Sequence, residues 1–274
     1  MLLTLALDSI APPARATWSI VAVDRETREV GVAGASCIGG VEMIGGVVPG
    51  KGAVVAQALT NPRGRDAAMQ LLAADVSPAE IVARIASARF DPGFVGWRWR
   101  QYGIVSLEPD AEPAVFTGPW VFAWSGGAIA PDVAVQGNLL RGEEVVRDSL
   151  AAFRSSVGPC SDSLADRLMR ALEAGAAAGG DRRCAAALAA LSAFLIVARP
   201  EDPLGAPSFA VIAGDPEGVD ASVFTFLKRL VVPRDGTVDE SPVRQLRAAF
   251  DERRRREGPV SGCPAEPEAS QATP

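Results

Sequence analysis

Few residue types in this chain could do chemistry, because its 274 residues include no histidine. A Ser-His-Asp triad, a Cys-His pair and the usual zinc sites all need an imidazole, so they are excluded. Lysine occurs only at Lys51 and Lys228. A lysine base must be brought from about 10.4 to near 7, roughly 4 to 5 kcal/mol of environment. An N-terminal amine sits at about 7.7 to 8.0 and needs almost no help. Thr17 is placed to use one. It follows Ala14-Arg15-Ala16, which fits a small-x-small cleavage pattern. A cut after Ala16 leaves a hydroxyl and a free amine on one residue, a self-contained nucleophile and base. The competing reading of Thr17 is a β-branched residue that simply begins an edge strand. Ser19 is a weaker nucleophile, since no cut places it first.

Around such a nucleophile the chain offers neutral amides. Gln57, Asn61, Gln101 and Asn138 fall near strand ends or in loops. Each can donate to a developing oxyanion, where losing one donor costs about 3 to 4 kcal/mol. Each can equally satisfy backbone groups, as Asn61 before Pro62 does in an Asx-turn. Asp181, after Gly179-Gly180, can orient the Thr17 amine or bind substrate, or serve as a turn or N-cap aspartate. Lys51 can lower a hydroxyl pKa by its charge, or be an exposed turn residue. Trp97, Arg98 and Trp99 either flank a cleft or anchor a long loop. No metal-ligand spacing and no phosphate-cradling glycine pattern is present, so neither a metal nor a cofactor is expected.

These residues must be held by elements. Strands are predicted over 17–23, 29–36 and 52–58, with a polar turn Asp24–Arg28 between the first two. Helices follow over 63–74 and from Ser77-Pro78-Ala79-Glu80, where serine caps, proline sits at N1 and glutamate completes a capping box. Further strands are predicted from Gln101 and over 114–117, 121–124 and 134–136. Helical periodicity covers 142–153 and 161–177, the latter ended by Gly179-Gly180. Residues 185–197 are helical early and strand-like late. Strands over 209–213 and 222–232 and an amphipathic helix over 241–255 complete the order. Blocks of strands and helices segregated in this way indicate an α+β fold, helices packed on mainly antiparallel sheets.

Composition narrows the partners. Net charge is -6, which argues against nucleic acid. The basic run Arg253–Arg256 reads as the solvated end of a helix. No apolar run reaches the roughly 18 residues of a membrane span. Met1–Ala16 resembles a short secretory signal without a basic start, interrupted by Asp8, so periplasmic or secreted location is expected, with cytoplasmic as the alternative. Four cysteines suit an oxidising compartment. A bridge among Cys37, Cys160 and Cys184 is expected ahead of one using Cys263.

Several motifs in order resemble a known family. They are Thr17–Ala22, Gly31–Ser36, Ala56–Pro62, Arg100–Gly103, Gln136–Leu140 and Ala174–Arg183. Together they are similar to the DUF1028 family of uncharacterised bacterial and archaeal proteins, from Thr17 to about Asp215. The resemblance implies an N-terminal nucleophile (Ntn) hydrolase fold, a four-layer α-β-β-α sandwich, with the matching threonine exposed by processing. Where many members carry an Asp-Asp-His-like element, this chain has Arg234–Asp239 without histidine. The expected organisation is a removed segment 1–16, an Ntn-like domain 17–232, a helical extension 233–257 and a disordered tail 258–274. The expected activity is an amidohydrolase that cleaves a small-molecule or peptide amide through Thr17. The alternative is a non-catalytic Ntn-fold binding or scaffolding protein of the cell envelope. Self-association into a homo-oligomer stays open.

Overall fold

Alternation along the first strand explains the architecture. In Thr17-Trp18-Ser19-Ile20-Val21-Ala22-Val23 every residue is buried, so both faces of the strand are covered. Trp18, Ile20 and Ala22 enter one hydrophobic core, whereas Val21 and Val23 enter another. A strand with period 2 can do this only in the middle of a sheet packed on both sides. The computed structural model describes residues 17–93, 96–155, 163–185, 187–214 and 241–257, and within them it shows that packing.

Two antiparallel sheets and five α-helices make up the described residues. The larger sheet is built from β1 (Thr17–Val23), β2 (Val30–Ser36), β7 (Gly126–Ala130), β8 (Val133–Asn138), β9 (Ser192–Ala198) and β10 (Phe209–Gly214), in the order β10-β9-β2-β1-β8-β7. The smaller has the order β3-β4-β5-β6, from β3 (Gly45–Val48), β4 (Gly52–Ala58), β5 (Arg100–Ser106) and β6 (Ala114–Thr117). Helices α1 (Pro62–Ala73) and α2 (Pro78–Ile85) cover the outer face of the smaller sheet, where Val54, Ala56, Tyr102 and Ile104 meet Ala68, Leu72, Ile81 and Ile85. Helices α3 (Glu144–Arg154), α4 (Leu164–Ala177) and α5 (Pro242–Glu257) cover the outer face of the larger one. The caps are as the residues demand: Asn61 Oδ1 accepts from Gly64 N at the start of α1, and Ser77 Oγ from Glu80 N at the start of α2.

Most helix and strand assignments follow the predicted pattern with ends moved by a few residues, but β3 and β7 have no predicted counterpart, and two further segments differ. Val121–Trp124 is not a strand. Its carbonyls at Phe122 and Trp124 accept from Leu139 and Leu140 N–H, and Phe122 packs on Trp99 with ring centroids 5.3 Å apart, so the segment bends over the end of the sheet instead of pairing along it. Residues 185–197 resolve into turns followed by β9, because Ala193, Phe194 and Leu195 must alternate between two cores. The predicted strand 222–232, the Arg234–Asp239 stretch and the 258–274 tail lie outside the described residues, as do Met1–Ala16, Cys160 and Cys263.

Candidate active site between the sheets

The layer between the sheets changes character along its length. At one end it is apolar: Val21, Val23, Val30, Val32, Ala53, Val55, Val105, Ala134 and Phe194. At the other end the same strand faces carry polar side chains, Thr17, Ser19, Ser36, Gln57, Gln101, Gln136, Asn138 and Ser192, each no more than 1% exposed. Burying a polar side chain is unfavourable unless it is hydrogen-bonded, and here the groups bond one another.

Thr17 stands at the start of β1, in register with Ser36 on one side and Asn138 on the other. Its Oγ1 donates to Ser36 Oγ at 3.2 Å. Across the layer, Gln57 Nε2 donates to the Thr17 carbonyl (3.4 Å) and to Gln101 Oε1 (2.8 Å). The two hydrogens of Gln101 Nε2 are shared among Thr117 Oγ1 (2.9 Å), Gly126 O (3.1 Å) and Gly137 O (2.8 Å). Asn138 Nδ2 gives one hydrogen to Gln101 Oε1 at 3.1 Å, and its second has no acceptor among the described residues. Asn138 is therefore the amide with a donor to offer, and Gln57 and Gln101 hold it in place. Behind them Ser19 donates to Gln57 Oε1 (2.7 Å) and accepts from Gln136 Nε2 (2.6 Å). A Cβ on Gly103 would stand 2.0 Å from Gln136 Oε1, so that glycine makes room for the amide.

Strain marks the same end. Ala58 and Leu139, immediately after Gln57 and Asn138, hold φ of 75° and 51°, which non-glycine residues rarely adopt.

A second arm reaches Thr17 through Ser36. Asp181 is fully buried; its Oδ2 accepts from Cys37 N (2.8 Å) and Arg183 Nη2 (2.7 Å), and its Oδ1 from Arg183 N (3.0 Å) and Nε (3.1 Å). Arg183 Nη2 also lies 3.5 Å from Ser36 Oγ. The loop carrying these residues is zipped to the one after Asn138 by Arg182 N to Leu139 O and Arg141 N to Gly180 O. Cys37 and Cys184, next in sequence to Ser36 and Arg183, form a disulfide with Cα atoms 5.8 Å apart. The expected bridge among Cys37, Cys160 and Cys184 thus joins the first and last of them.

Of the sequence-predicted residues, Thr17, Gln57, Gln101 and Asn138 converge, and Asp181 joins them through Arg183 and Ser36. Asn61 and Lys51 do not. Asn61 lies on the outer side of the smaller sheet, where it caps α1 and donates to the Tyr102 hydroxyl at 3.0 Å. Lys51 sits at the far end of β4, the end pairing with Ser106, and bonds Asp75. Its contact holds the Asp75 carboxyl below the usual range. Sequence reasoning weighs Ser19 only as a weaker nucleophile and does not single out Ser36, Gln136, Ser192 or Arg183 as site residues. The trace they leave is period 2, a polar residue at every second position of strands otherwise apolar. Trp97, Arg98 and Trp99 pack with Trp120 and Phe116 beside β5: Arg98 lies 4.8 Å from the Trp97 ring centre and 5.1 Å from that of Trp120. Among the described residues no three Cys, Asp or Glu side chains converge where a metal could be held, and no helix is long and apolar enough to cross a membrane.

A family described as of unknown function, DUF1028, matches residues 17–213, most of the chain and the whole of this polar end. The chain belongs to the DUF1028 family. Its fold is similar to that of protein SPO2555 from Silicibacter pomeroyi, a crystal structure of the same DUF1028 family. The two share 22% identity with a TM-score of 0.63, over 86% of this chain and 88% of that one. None of the curated proteins matches the chain. The DUF1028 match starts at Thr17, the residue on which the polar end converges.

Proposed function

We propose that this DUF1028 protein is an amidohydrolase of the N-terminal nucleophile type, with the packed helices and sheets forming the four-layer α-β-β-α sandwich of that class. The observation that carries the reading is the concentration of buried, mutually bonded polar side chains around a strand-initiating threonine. Apolar residues would fill that space at less cost, and a chain tolerates such an inconsistency mainly where function needs it. The disulfide supports export to an oxidising compartment, periplasmic or secreted.

In the uncut chain the Thr17 nitrogen is a peptide nitrogen and cannot act as a base, and the side chain is buried. Removal of residues 1–16 creates the amine. The hydroxyl, held toward Ser36, then attacks the substrate carbonyl while the amine takes its proton. The free N–H of Asn138 receives the oxyanion, and the amine returns the proton to the leaving nitrogen. Water, activated by the same amine, releases the acyl group from the threonine ester.

Intact mass and N-terminal sequencing of the protein from its host test the first step; the expected mature chain begins at Thr17. A host protein that retains Met1–Ala16 overturns the mechanism and favours a non-catalytic binding protein with the same fold. Treating the mature chain with a hydroxyl-directed covalent probe tests the second. Thr17→Ala should abolish labelling, and Thr17→Ser should keep part of it, because it retains hydroxyl and amine.

A further inference from the structure

We infer that the edge of the molecule far from Thr17 takes up an extended, basic segment of another protein, which adds as a strand to β7 and seats an aliphatic side chain between the two sheets. The sheets meet and then part along β7. A Cβ on Gly127 would stand 3.4 Å from Val115 Cβ of β6, so the layers touch there with no side chain between them. Ala128 and Ala130 pack toward the core under α3, which turns Ile129 to the same side as Gly127. By Ile129 the layers have opened, and this residue is 46% exposed. The opening is a groove of about 810 Å³, with residues 129–132 on one bank and 109–113, the turn between β5 and β6, on the other. It lies at the end of β1 opposite Thr17, where Val23 N donates to Asp132 O. Arg25 fixes both banks: its guanidinium donates to Asp132 Oδ1 (2.6 Å) and to the carbonyls of Leu107 (3.3 Å), Glu108 (3.3 Å) and Ala111 (3.4 Å). The groove is therefore pre-organised.

Backbone and charge together name the occupant. β7 is the outermost strand of its sheet, and no described strand pairs with its outer side. Edge strands are usually shielded by charge, proline or a bulge. Gly126-Gly127-Ala128-Ile129-Ala130 carries no charge and no proline, and its register with β8 is unbroken. An added strand would gain main-chain hydrogen bonds there and place its alternate side chains in the groove. Asp132 is neutralised by Arg25, whereas Asp110 and Glu112 are exposed and pair with no described cation. Two copies joined edge to edge along β7 would bring these carboxylates together, so like-charge repulsion selects a basic partner over a second copy.

The test uses the whole chain purified from its host and hexapeptides with a dye at the amino end, followed by fluorescence anisotropy. The basic probe is Lys-Thr-Val-Thr-Lys-Thr, whose lysines and valine share one face of a strand, and the acidic probe has glutamate in place of both lysines. The basic probe is expected to bind about tenfold more tightly at low salt and to weaken as salt rises. Asp110→Asn/Glu112→Gln should remove most of that preference, and Ile129→Ser should weaken the basic probe about fivefold. All three positions are exposed and distant from Thr17 and its partners, so the fold and any hydrolysis should be unchanged. N-methylation of alternate peptide nitrogens separates main-chain pairing from charge alone, since an added strand turns every second N–H to β7. One methylation pattern should bind like the parent probe, and the other should fail. Equal binding of the two patterns overturns the proposal. So does equal binding of the two probes, binding of neither, a preference that survives Asp110→Asn/Glu112→Gln, or an affinity unmoved by Ile129→Ser. Self-association that Ile129→Ser abolishes, read by analytical ultracentrifugation, overturns it too by making a second copy the occupant.

Discussion

At the scale of single residues, the amides around Thr17 divide by what their N–H groups are already bonded to. Asn138 has a donor left and Gln101 does not, so the two should fail differently when truncated. Asn138→Ala is expected to slow turnover, or covalent labelling of Thr17, by a hundredfold or more, about 3 kcal/mol, with little change in unfolding midpoint. Gln101→Ala strips partners from Gln57, Asn138 and Thr117 together and should cost about 2 to 4 kcal/mol of stability by chemical denaturation. If the Asn138 variant instead unfolds early and reacts normally once folded, the division is wrong. Gly103→Ala makes a third case, because its Cβ has no room beside Gln136 Oε1. Overpacking of that kind costs about 1 to 3 kcal/mol, and an unchanged denaturation midpoint would contradict the placement of Gln136. Thr17 and these amides were legible from residue type and position relative to strand ends. Ser36 and Arg183 were not, because a serine ending a strand and an arginine in a turn carry no signal until β2 and the 180–184 loop are brought side by side.

Elements were the most readable level where local chemistry decides them. Ser77-Pro78-Ala79-Glu80 and Asn61-Pro62 open helices for capping reasons that need no tertiary context, and both open one. Where tertiary contact decides, periodicity misled: the apolar spacing of Val121–Trp124 imitates a strand, but Phe122 packs on Trp99 just before β5 and the segment's carbonyls bond the turn after β8. The same limit applies to cysteine pairing, which composition leaves threefold open. The Cys37–Cys184 bridge spans 147 residues and fastens the end of β2 to the loop carrying Asp181. Closing so long a loop stabilises by about 3 to 5 kcal/mol, chiefly through the unfolded chain. Replacing both cysteines by alanine should lower the denaturant midpoint accordingly and reduce labelling at Thr17, as Ser36 and Arg183 lose their fixed spacing. An identical midpoint with and without reductant would show that the bridge does not form in solution.

For the molecule as a whole, polarity is sorted by layer and by end: apolar cores under the helices, and an inter-sheet layer apolar at one end and polar at the other. The α+β class was legible because strand and helix blocks alternate in the chain, but the split of the central layer was not, since it depends on which strands oppose each other. The core under α1 and α2 gives the whole fold an alkaline limit. Tyr102, the one tyrosine of the chain, has its ring stacked near Phe116 and its hydroxyl accepting from Asn61 Nδ2. Burial pushes its pKa up to about 12, against about 10 in an unfolded chain. The phenol is neutral in both states below pH 10, so its burial takes nothing from stability there. Between pH 10 and 12 the unfolded chain releases the proton and the folded one keeps it. Stability then falls as pH rises, by roughly 2 to 3 kcal/mol across that interval. Phenolate absorbance and tryptophan fluorescence followed together should show the tyrosine ionising only near pH 12 or in step with unfolding. Reversible ionisation near pH 10 with the fluorescence unchanged would mean that the ring is not sealed beneath α1 and α2, and that Asn61 is free of the contact assigned to it.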